Sequence, residues 1–182
     1  MKVRYIETSV LLWCAKNREG LPGGVVSDLV LAEVHNLDEP WRDWAARLLE
    51  EASPLCLRLE LSEVEFAQKY VYNHVLASSD YPLGLHYALA CLRGLDGVVS
   101  CGDALEERKP ELDRINSHFK VPAVEVETFE CSELPEKLFE VRGMIGRLLE
   151  SQGPVRLLQA VRESQEFFQR EKGLKLKRVG KI

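Results

Sequence analysis

The chain alternates short strand-like segments with longer segments whose apolar residues recur at helical spacing. Five short segments, either rich in β-branched residues or alternating between apolar and polar positions, predict strands at Lys2–Ile6, Val25–Ser27, Leu55–Leu61, Gly97–Ser100 and Val121–Phe129. Helical spacing fills the intervals between them. The resulting order, β-α-β-α-α-β-α-α-β-α-β, predicts an α/β fold, with helices sandwiching a mainly parallel sheet.

Polar residues mark the positions where the first helices are expected to begin. Thr8 or Ser9 is the predicted N-cap of the first helix, and Ser27 or Asp28 that of the second. A side-chain oxygen at such a position accepts a hydrogen bond from a backbone N–H group that lacks a helical partner. Each of the first two strands is therefore expected to run directly into a helix.

The pattern changes after residue 134. Two amphipathic helices are predicted at about residues 136–152 and 154–172, separated by Gly153. We divide the chain into a body, residues 1–134, and a C-terminal arm, residues 135–182. The apolar stripes of the arm are expected to be buried on the chain's own body or on a second copy, and a homodimer is the expected assembly. The buried side chains are predicted to be Leu138, Val141, Ile145, Leu148, Phe167 and Phe168.

Composition narrows the class of protein. Apolar residues make up 46% of the 182 residues, but no run approaches the roughly 18 apolar residues that a membrane-spanning helix needs. The first residues are not expected to form a signal peptide, because charges interrupt every apolar run. The five cysteines include no Cys-x-x-Cys pair, so neither structural zinc nor a disulfide framework is expected, and Cys101 is predicted to be a buried thiol. The expected location is a reducing cytoplasm.

The net charge of −5 is distributed unevenly. Residues 171–182 contain five basic side chains and one acid, whereas the rest of the chain is strongly acidic. Because neutralisation of phosphates supplies most of the affinity for nucleic acid, an acidic body is not expected to bind nucleic acid through its overall charge. A local basic patch or a bound metal ion would be needed to offset it.

Carboxylates follow the predicted strands. Glu7 follows the first strand, Asp103 follows the strand at Gly97–Ser100, and Glu33 lies in the helix after the second strand. The carboxyl ends of parallel strands meet at one edge, where ligands of open α/β sheets gather. Converging carboxylates predict a site for Mg²⁺ or Mn²⁺, although acids after strands are also common as helix caps. His86, in an apolar helix at Pro82–Leu92, is expected to be a hydrogen-bonded core residue.

Three segments together resemble the PIN domain family. They are residues 5–12 (YIETSVLL), residues 27–34 (SDLVLAEV), and the helix and strand at residues 85–100 (LHYALACLRGLDGVVS). The resemblance covers residues 1–134. It implies a three-layer α/β/α fold and a metal-dependent endoribonuclease of the VapC toxin type, whose metal ligands here would be Glu7, Glu33 and, in place of a displaced family acid, Asp103. Glu7 and Glu33 would be the catalytic residues and RNA the substrate.

The sequence also departs from that family pattern. Glu7 stands where the family has Asp, Leu83 where it has a third acid, and Gly102 where it has a fourth. Two functions therefore stay open. One is an endoribonuclease with weakened activity, and the other is a catalytically inactive PIN-like module that binds protein or RNA.

The arm resembles the short helical partner proteins encoded beside bacterial PIN genes. This implies either a fusion of a toxin-like body with an antitoxin-like, self-inhibiting arm, or an ordinary helical extension. In the first case the arm is expected to bring a basic side chain to Glu7 and Glu33, from Arg142, Arg147 or the cluster at Lys172–Lys181.

Overall fold

A parallel sheet runs through the computed structural model, which describes residues 2–182. Its strands pair in the orders β1-β4-β5 and β2-β3-β6, and every pair is parallel. A bridge between Tyr5 and Val25 joins the two groups, so the order across the sheet is β6-β3-β2-β1-β4-β5. The strands are β1 (Arg4–Ile6), β2 (Val26–Ser27), β3 (Cys56–Leu57), β4 (Gly97–Cys101), β5 (Glu125–Phe129) and β6 (Arg178–Val179).

Helices cover both faces of the sheet. Helix α1 packs on α3, whereas α4 packs on α5, which also contacts α6. Right-handed crossovers between parallel strands place these two groups on opposite faces, which gives the expected three-layer α/β/α arrangement. The helices are α1 (Thr8–Asn17), α2 (Asp28–His35), α3 (Trp41–Ala52), α4 (Leu61–Tyr72), α5 (Tyr81–Leu92), α6 (Ala104–His118) and α7 (Glu136–Lys172).

Two local predictions are wrong for reasons of helix capping. The N-cap of α1 is Glu7, whose side chain accepts from the Ser9 N–H, rather than Thr8 or Ser9. Strand β3 is much shorter than the predicted Leu55–Leu61, because Glu60 begins α4 in a capping box with Glu63. The expected capping of α2 by Ser27 is confirmed, since its Oγ accepts from the Leu29 N–H at 3.2 Å.

The arm forms two helical segments that pack on the body. Helix α7 bends at Gly153, whose φ of 84° and ψ of 177° are not helical, so the predicted break is confirmed. Its main partners are α2 and a short 3-10 helix at Ser78–Asp80. Leu138, Val141 and Phe168 are buried there as predicted. The prediction for Phe167 is wrong, because 49% of that residue is exposed.

The end of the arm enters the sheet, which the sequence analysis did not predict. Strand β6 pairs with β3 through the Cys56 N–H, which donates to the Lys177 carbonyl at 2.9 Å, and the Arg58 N–H, which donates to the Val179 carbonyl at 2.9 Å. The Arg178 side chain reaches further, to Asp28. The arm therefore contributes both a helical layer and an edge strand to the fold.

A disulfide joins Cys101, at the end of β4, to Cys131, in the segment that leads into the arm. The expectation that Cys101 is a buried thiol is therefore wrong, and the chain has one disulfide although no disulfide framework was expected. Cys14, Cys56 and Cys91 are free and buried. Within residues 2–182, no helix has the length and apolar character needed to cross a membrane.

Candidate functional site

Glu7 and Glu33, here called the acidic pair, meet at the carboxyl edge of the sheet. Glu7 lies directly after β1 and begins α1, and Glu33 lies in α2, which follows β2 without a loop. Both side chains are completely buried. Because a buried carboxylate is costly unless it is paired and hydrogen-bonded, the contacts of each determine what the site can do.

Glu7 is held by groups from α1 and β4. Its Oε1 accepts from the Ser9 N–H at 3.2 Å, and its Oε2 accepts from the Ser9 hydroxyl and, at 3.0 Å, from the Ser100 hydroxyl. The Ser9 Oγ accepts in turn from the Cys101 N–H at 3.1 Å. These bonds fix the carboxylate of Glu7 against the ends of two neighbouring strands.

Glu33 contacts three side chains in three different elements. The Thr8 hydroxyl donates to Oε1 at 2.6 Å, His86 Nε2 lies 2.5 Å from the same oxygen, and Arg142 Nε–H donates to Oε2 at 2.9 Å. The expectation that His86 is a buried, hydrogen-bonded residue is confirmed. Its partnership with Glu33 was not predicted.

Arg142 joins the two carboxylates. Its Nη2 forms an ion pair with Glu7 Oε1, while its Nε binds Glu33. Burial lowers the pKa of the Arg142 guanidinium from its ordinary value to about 10, so the group still carries its charge at neutral pH. A cation from the arm therefore lies between the acidic pair, and Arg142 is one of the three sources that the sequence analysis named for it.

A chain of hydrogen bonds extends behind His86. Its Nδ1 lies 2.5 Å from the Tyr5 hydroxyl, which lies 2.7 Å from the Ser27 Oγ. Burial raises the pKa of Tyr5 well above its usual range, so its hydroxyl stays neutral. A neutral His86 satisfies every group if Ser27 donates to Tyr5, Tyr5 to Nδ1, and Nε2–H to Glu33.

Three donor atoms of the site lie close enough together that one metal ion could be held between them. Glu7, Glu33 and His86 each offer a ligand atom, and these atoms lie within 4.8 Å of one another. Asp103 is not brought to this group, because it lies exposed at the N-cap of α6. The structure therefore unites Glu7 and Glu33, leaves Asp103 outside, and adds His86.

One sequence signal could have identified Arg142. Leu138, Ile145 and Leu149 stand four residues before it and three and seven residues after it, and these spacings place all four on one helix face. An arginine within an apolar stripe must find an anion when that face is buried. Arg147, the neighbouring candidate, lies on the exposed face of the same helix.

The chain was also compared with known proteins, and no protein-family model, curated protein or solved structure matches it. Inference about its function therefore depends on the geometry of the acidic pair and its partners.

Proposed function

We propose that this chain is a PIN-like protein of the metal-dependent endoribonuclease type, in which a toxin-like body is inhibited by its own antitoxin-like arm. The observation that carries the proposal is the position of Arg142, whose guanidinium contacts both Glu7 and Glu33. Carboxylates that converge at a strand edge ordinarily need a cation, and here the arm supplies it from within the same chain.

Each residue around the acidic pair has a role in this proposal. Glu7 and Glu33 would hold Mg²⁺ or Mn²⁺, which would activate a water and stabilise the charge of a phosphodiester under attack. Ser9 and Ser100 orient the Glu7 carboxylate, and Thr8 orients that of Glu33. Such outer hydrogen bonds fix ligands in the geometry that a metal requires.

The arm would suppress activity in two ways. The Arg142 charge occupies the position that a metal ion would take, and the packing of α7 on α2 leaves neither carboxylate exposed. An RNA phosphate cannot approach groups that are completely buried. The intact chain is therefore expected to cleave RNA slowly, and the arm must move before the acidic pair can act.

The second candidate is a catalytically inactive PIN-like module that binds protein or RNA. Two observations favour it. Leu83, in the position of a family acid, is an apolar side chain in the core, and Asp103 is exposed and lies outside the group formed by Glu7, Glu33 and His86. With only two carboxylates, a metal of the Mg²⁺ type would be held weakly.

Partners and location are part of the same proposal. RNA is the proposed substrate, and the cytoplasm the proposed location, where Cys101 and Cys131 would be present as thiols. The inhibitor is carried in the chain, so no separate antitoxin is needed. A homodimer remains a prediction, and the exposed apolar side chains that a second copy could cover on the arm include Phe139, Met144, Val155 and Phe167.

The test is to remove the Arg142 charge and measure RNA cleavage. Full-length Arg142→Gln, incubated with single-stranded RNA and Mg²⁺ or Mn²⁺, is expected to cleave faster than the natural chain. Arg147→Gln is the matched control, because it removes the same charge from an exposed position of the same helix. Adding Glu7→Gln to the Arg142→Gln chain should abolish the cleavage gained.

Circular dichroism separates loss of activity from loss of fold. Removing one partner of a buried ion pair costs about 3–5 kcal/mol, so the Arg142→Gln chain must first be shown to be folded. A folded Arg142→Gln chain without metal-dependent cleavage would contradict the nuclease proposal. Retention of RNA binding by that chain would instead favour the inactive module.

A further inference from the structure

The ligand atoms at the acidic pair include a ring nitrogen as well as carboxylate oxygens. His86 Nε2 lies 2.5 Å from Glu33 Oε1, and a ligand atom of Glu7 lies within 4.8 Å of both residues. Mg²⁺ prefers oxygen ligands and keeps several waters, whereas imidazole nitrogen suits zinc and neighbouring transition metals. The donor set therefore differs in kind from an all-carboxylate magnesium site.

His86 has a hydrogen-bond partner on its second ring nitrogen, a feature that metal-binding histidines share. Such a histidine usually has a partner on its second ring nitrogen, which fixes the ring and determines which nitrogen carries the proton. The Tyr5 hydroxyl occupies that position at Nδ1, 2.5 Å away, and the Ser27 Oγ lies 2.7 Å behind it. Metal binding would use the tautomer opposite to the one that satisfies every group with Arg142 in place: Nδ1–H would donate to Tyr5 and Tyr5 to Ser27, and the lone pair of Nε2 would face the acidic pair.

Charge balance also favours a divalent ion. The two carboxylates carry two negative charges, and the Arg142 guanidinium that lies between them carries one positive charge. A divalent cation in place of the guanidinium would offset both. Uncompensated charge is costly in a buried site, so a divalent ion is the better electrostatic match once the arm has withdrawn.

We propose that Glu7, Glu33 and His86 form a three-ligand site for a first-row transition-metal ion of the Zn²⁺ kind, in preference to Mg²⁺. The proposal rests on the proposed function for one premise, that Arg142 can leave the acidic pair. Three protein ligands leave one position for water or a phosphate oxygen, which is the ligand count of catalytic zinc sites. His86 thus supplies a third metal ligand in a site where Leu83 and Gly102 stand in the positions of two family acids.

Arg142 and the metal ion compete for the same atoms. The guanidinium contacts Glu7 Oε1 and Glu33 Oε2, so an ion bound by these carboxylates and Arg142 in its present position exclude each other. The natural chain is therefore expected to bind Zn²⁺ weakly, and a chain without the Arg142 charge to bind it tightly. This competition allows the site to be tested by binding alone.

The experiment measures the binding of Zn²⁺ and Mg²⁺ to full-length Arg142→Gln by calorimetry, with Co²⁺ as a spectroscopic substitute for Zn²⁺. Zn²⁺ should bind far more tightly than Mg²⁺, and Co²⁺ should give the intense visible bands of a low-coordinate site. Adding Tyr5→Phe should weaken Zn²⁺ binding by about 10–100-fold, as loss of an outer partner does. Adding His86→Asn should weaken it at least as much. His118→Asn, at an exposed position on α6, is the control and should change nothing.

Any of three results would contradict the proposed zinc site. They are equal affinity for Mg²⁺ and Zn²⁺, an affinity for Zn²⁺ that His86→Asn does not change, and no metal binding to a folded Arg142→Gln chain. RNA cleavage by the same samples tests the proposed function separately. Zn²⁺ binding without RNA cleavage would support the zinc site and contradict the nuclease proposal. Mg²⁺-dependent cleavage that is unchanged by His86→Asn would support the nuclease proposal and contradict the zinc site. A second variant, Gly146→Ala, serves if Arg142→Gln does not fold, because it loosens the arm and retains Arg142. Its affinity for Zn²⁺ should be higher than that of the natural chain, and no increase would overturn the proposal.

Discussion

Arg142 Nε–H donates a hydrogen bond of 2.9 Å to Glu33 Oε2, across 109 residues of sequence. This contact depends on how closely the first half of α7 approaches the body. Gly146 lies one turn after Arg142 and against the 3-10 helix at Ser78–Asp80, where a Cβ atom would clash with the Ser78 carbonyl oxygen. The absence of a side chain at Gly146 thus allows the approach that brings Arg142 to Glu33.

Gly146→Ala is predicted to destabilise the protein although alanine is the better helix former. The new methyl group must push α7 away from the Ser78 backbone, and overpacking of this kind costs about 1–3 kcal/mol. Gly143→Ala is the matched control on the same helix, because its Cβ would meet only the flexible Arg147 side chain, at 3.3 Å. There the helix propensity of alanine should stabilise by up to about 1 kcal/mol.

Urea denaturation of the two variants and the natural chain measures both changes. The decisive quantity is the difference in the free energy of unfolding between Gly146→Ala and Gly143→Ala, since both carry the same chemical change. Equal stability of the two variants would mean that close packing of α7 on the 3-10 helix does not occur in solution.

The order of elements and the meeting of Glu7 with Glu33 were both predictable from the sequence. The predicted order of strands and helices up to residue 134 is confirmed, because hydrophobic periodicity marks each element and the strand-edge rule needs no side-chain detail. For the cation that contacts the acidic pair, the sequence left Arg142, Arg147 and the cluster at Lys172–Lys181 as alternatives. The apolar stripe around Arg142 could have singled it out as a buried arginine, but tertiary contacts bring that face of α7 to the acidic pair.

The remaining misses share a physical cause. Strand β6 has two residues and lies in a lysine-rich tail, so it carries no periodicity that a sequence analysis could detect. The pairing of Cys101 with Cys131 depends on a loop that brings two distant positions together. His86 was recognised as a core residue, but its neighbour Glu33 is 53 residues away in the sequence, and the two side chains meet only in the folded chain.

The cysteines are predicted to fall into two classes of reactivity. Burial raises the pKa of Cys14 and Cys91 to about 11, and it raises that of Cys56 further. Because the thiolate is the reactive form, a thiol reagent at pH 8 should label almost none of these residues in the folded protein, and labelling should rise only as the pH approaches these values.

Labelling before and after mild reduction tests the disulfide. Protein that has been oxidised in air after purification should show no fast-reacting thiol, and reduction should release two, at Cys101 and Cys131. Cys131→Ser is the control, and it should expose one reactive thiol, at Cys101, without reduction. Two fast-reacting thiols in oxidised protein would show that the bond does not form.

The last prediction concerns Asp28, which is completely buried at the start of α2. Its carboxylate accepts from Arg178 Nε at 2.9 Å and Nη2 at 2.8 Å, and from the Leu59 N–H at 3.0 Å. Arg178→Ala leaves this buried charge with the Leu59 bond but without its cation, and breaking such a pair costs about 3–5 kcal/mol. Lys177→Ala, at the exposed neighbouring position, is the control and should cost little. Arg178→Ala, but not Lys177→Ala, should also increase the rate of hydrogen exchange at the Cys56 and Arg58 amides, which donate to the backbone of β6 and the residue before it. If both variants match the natural chain in stability and exchange, β6 is not part of the sheet in solution, and the arm ends with α7.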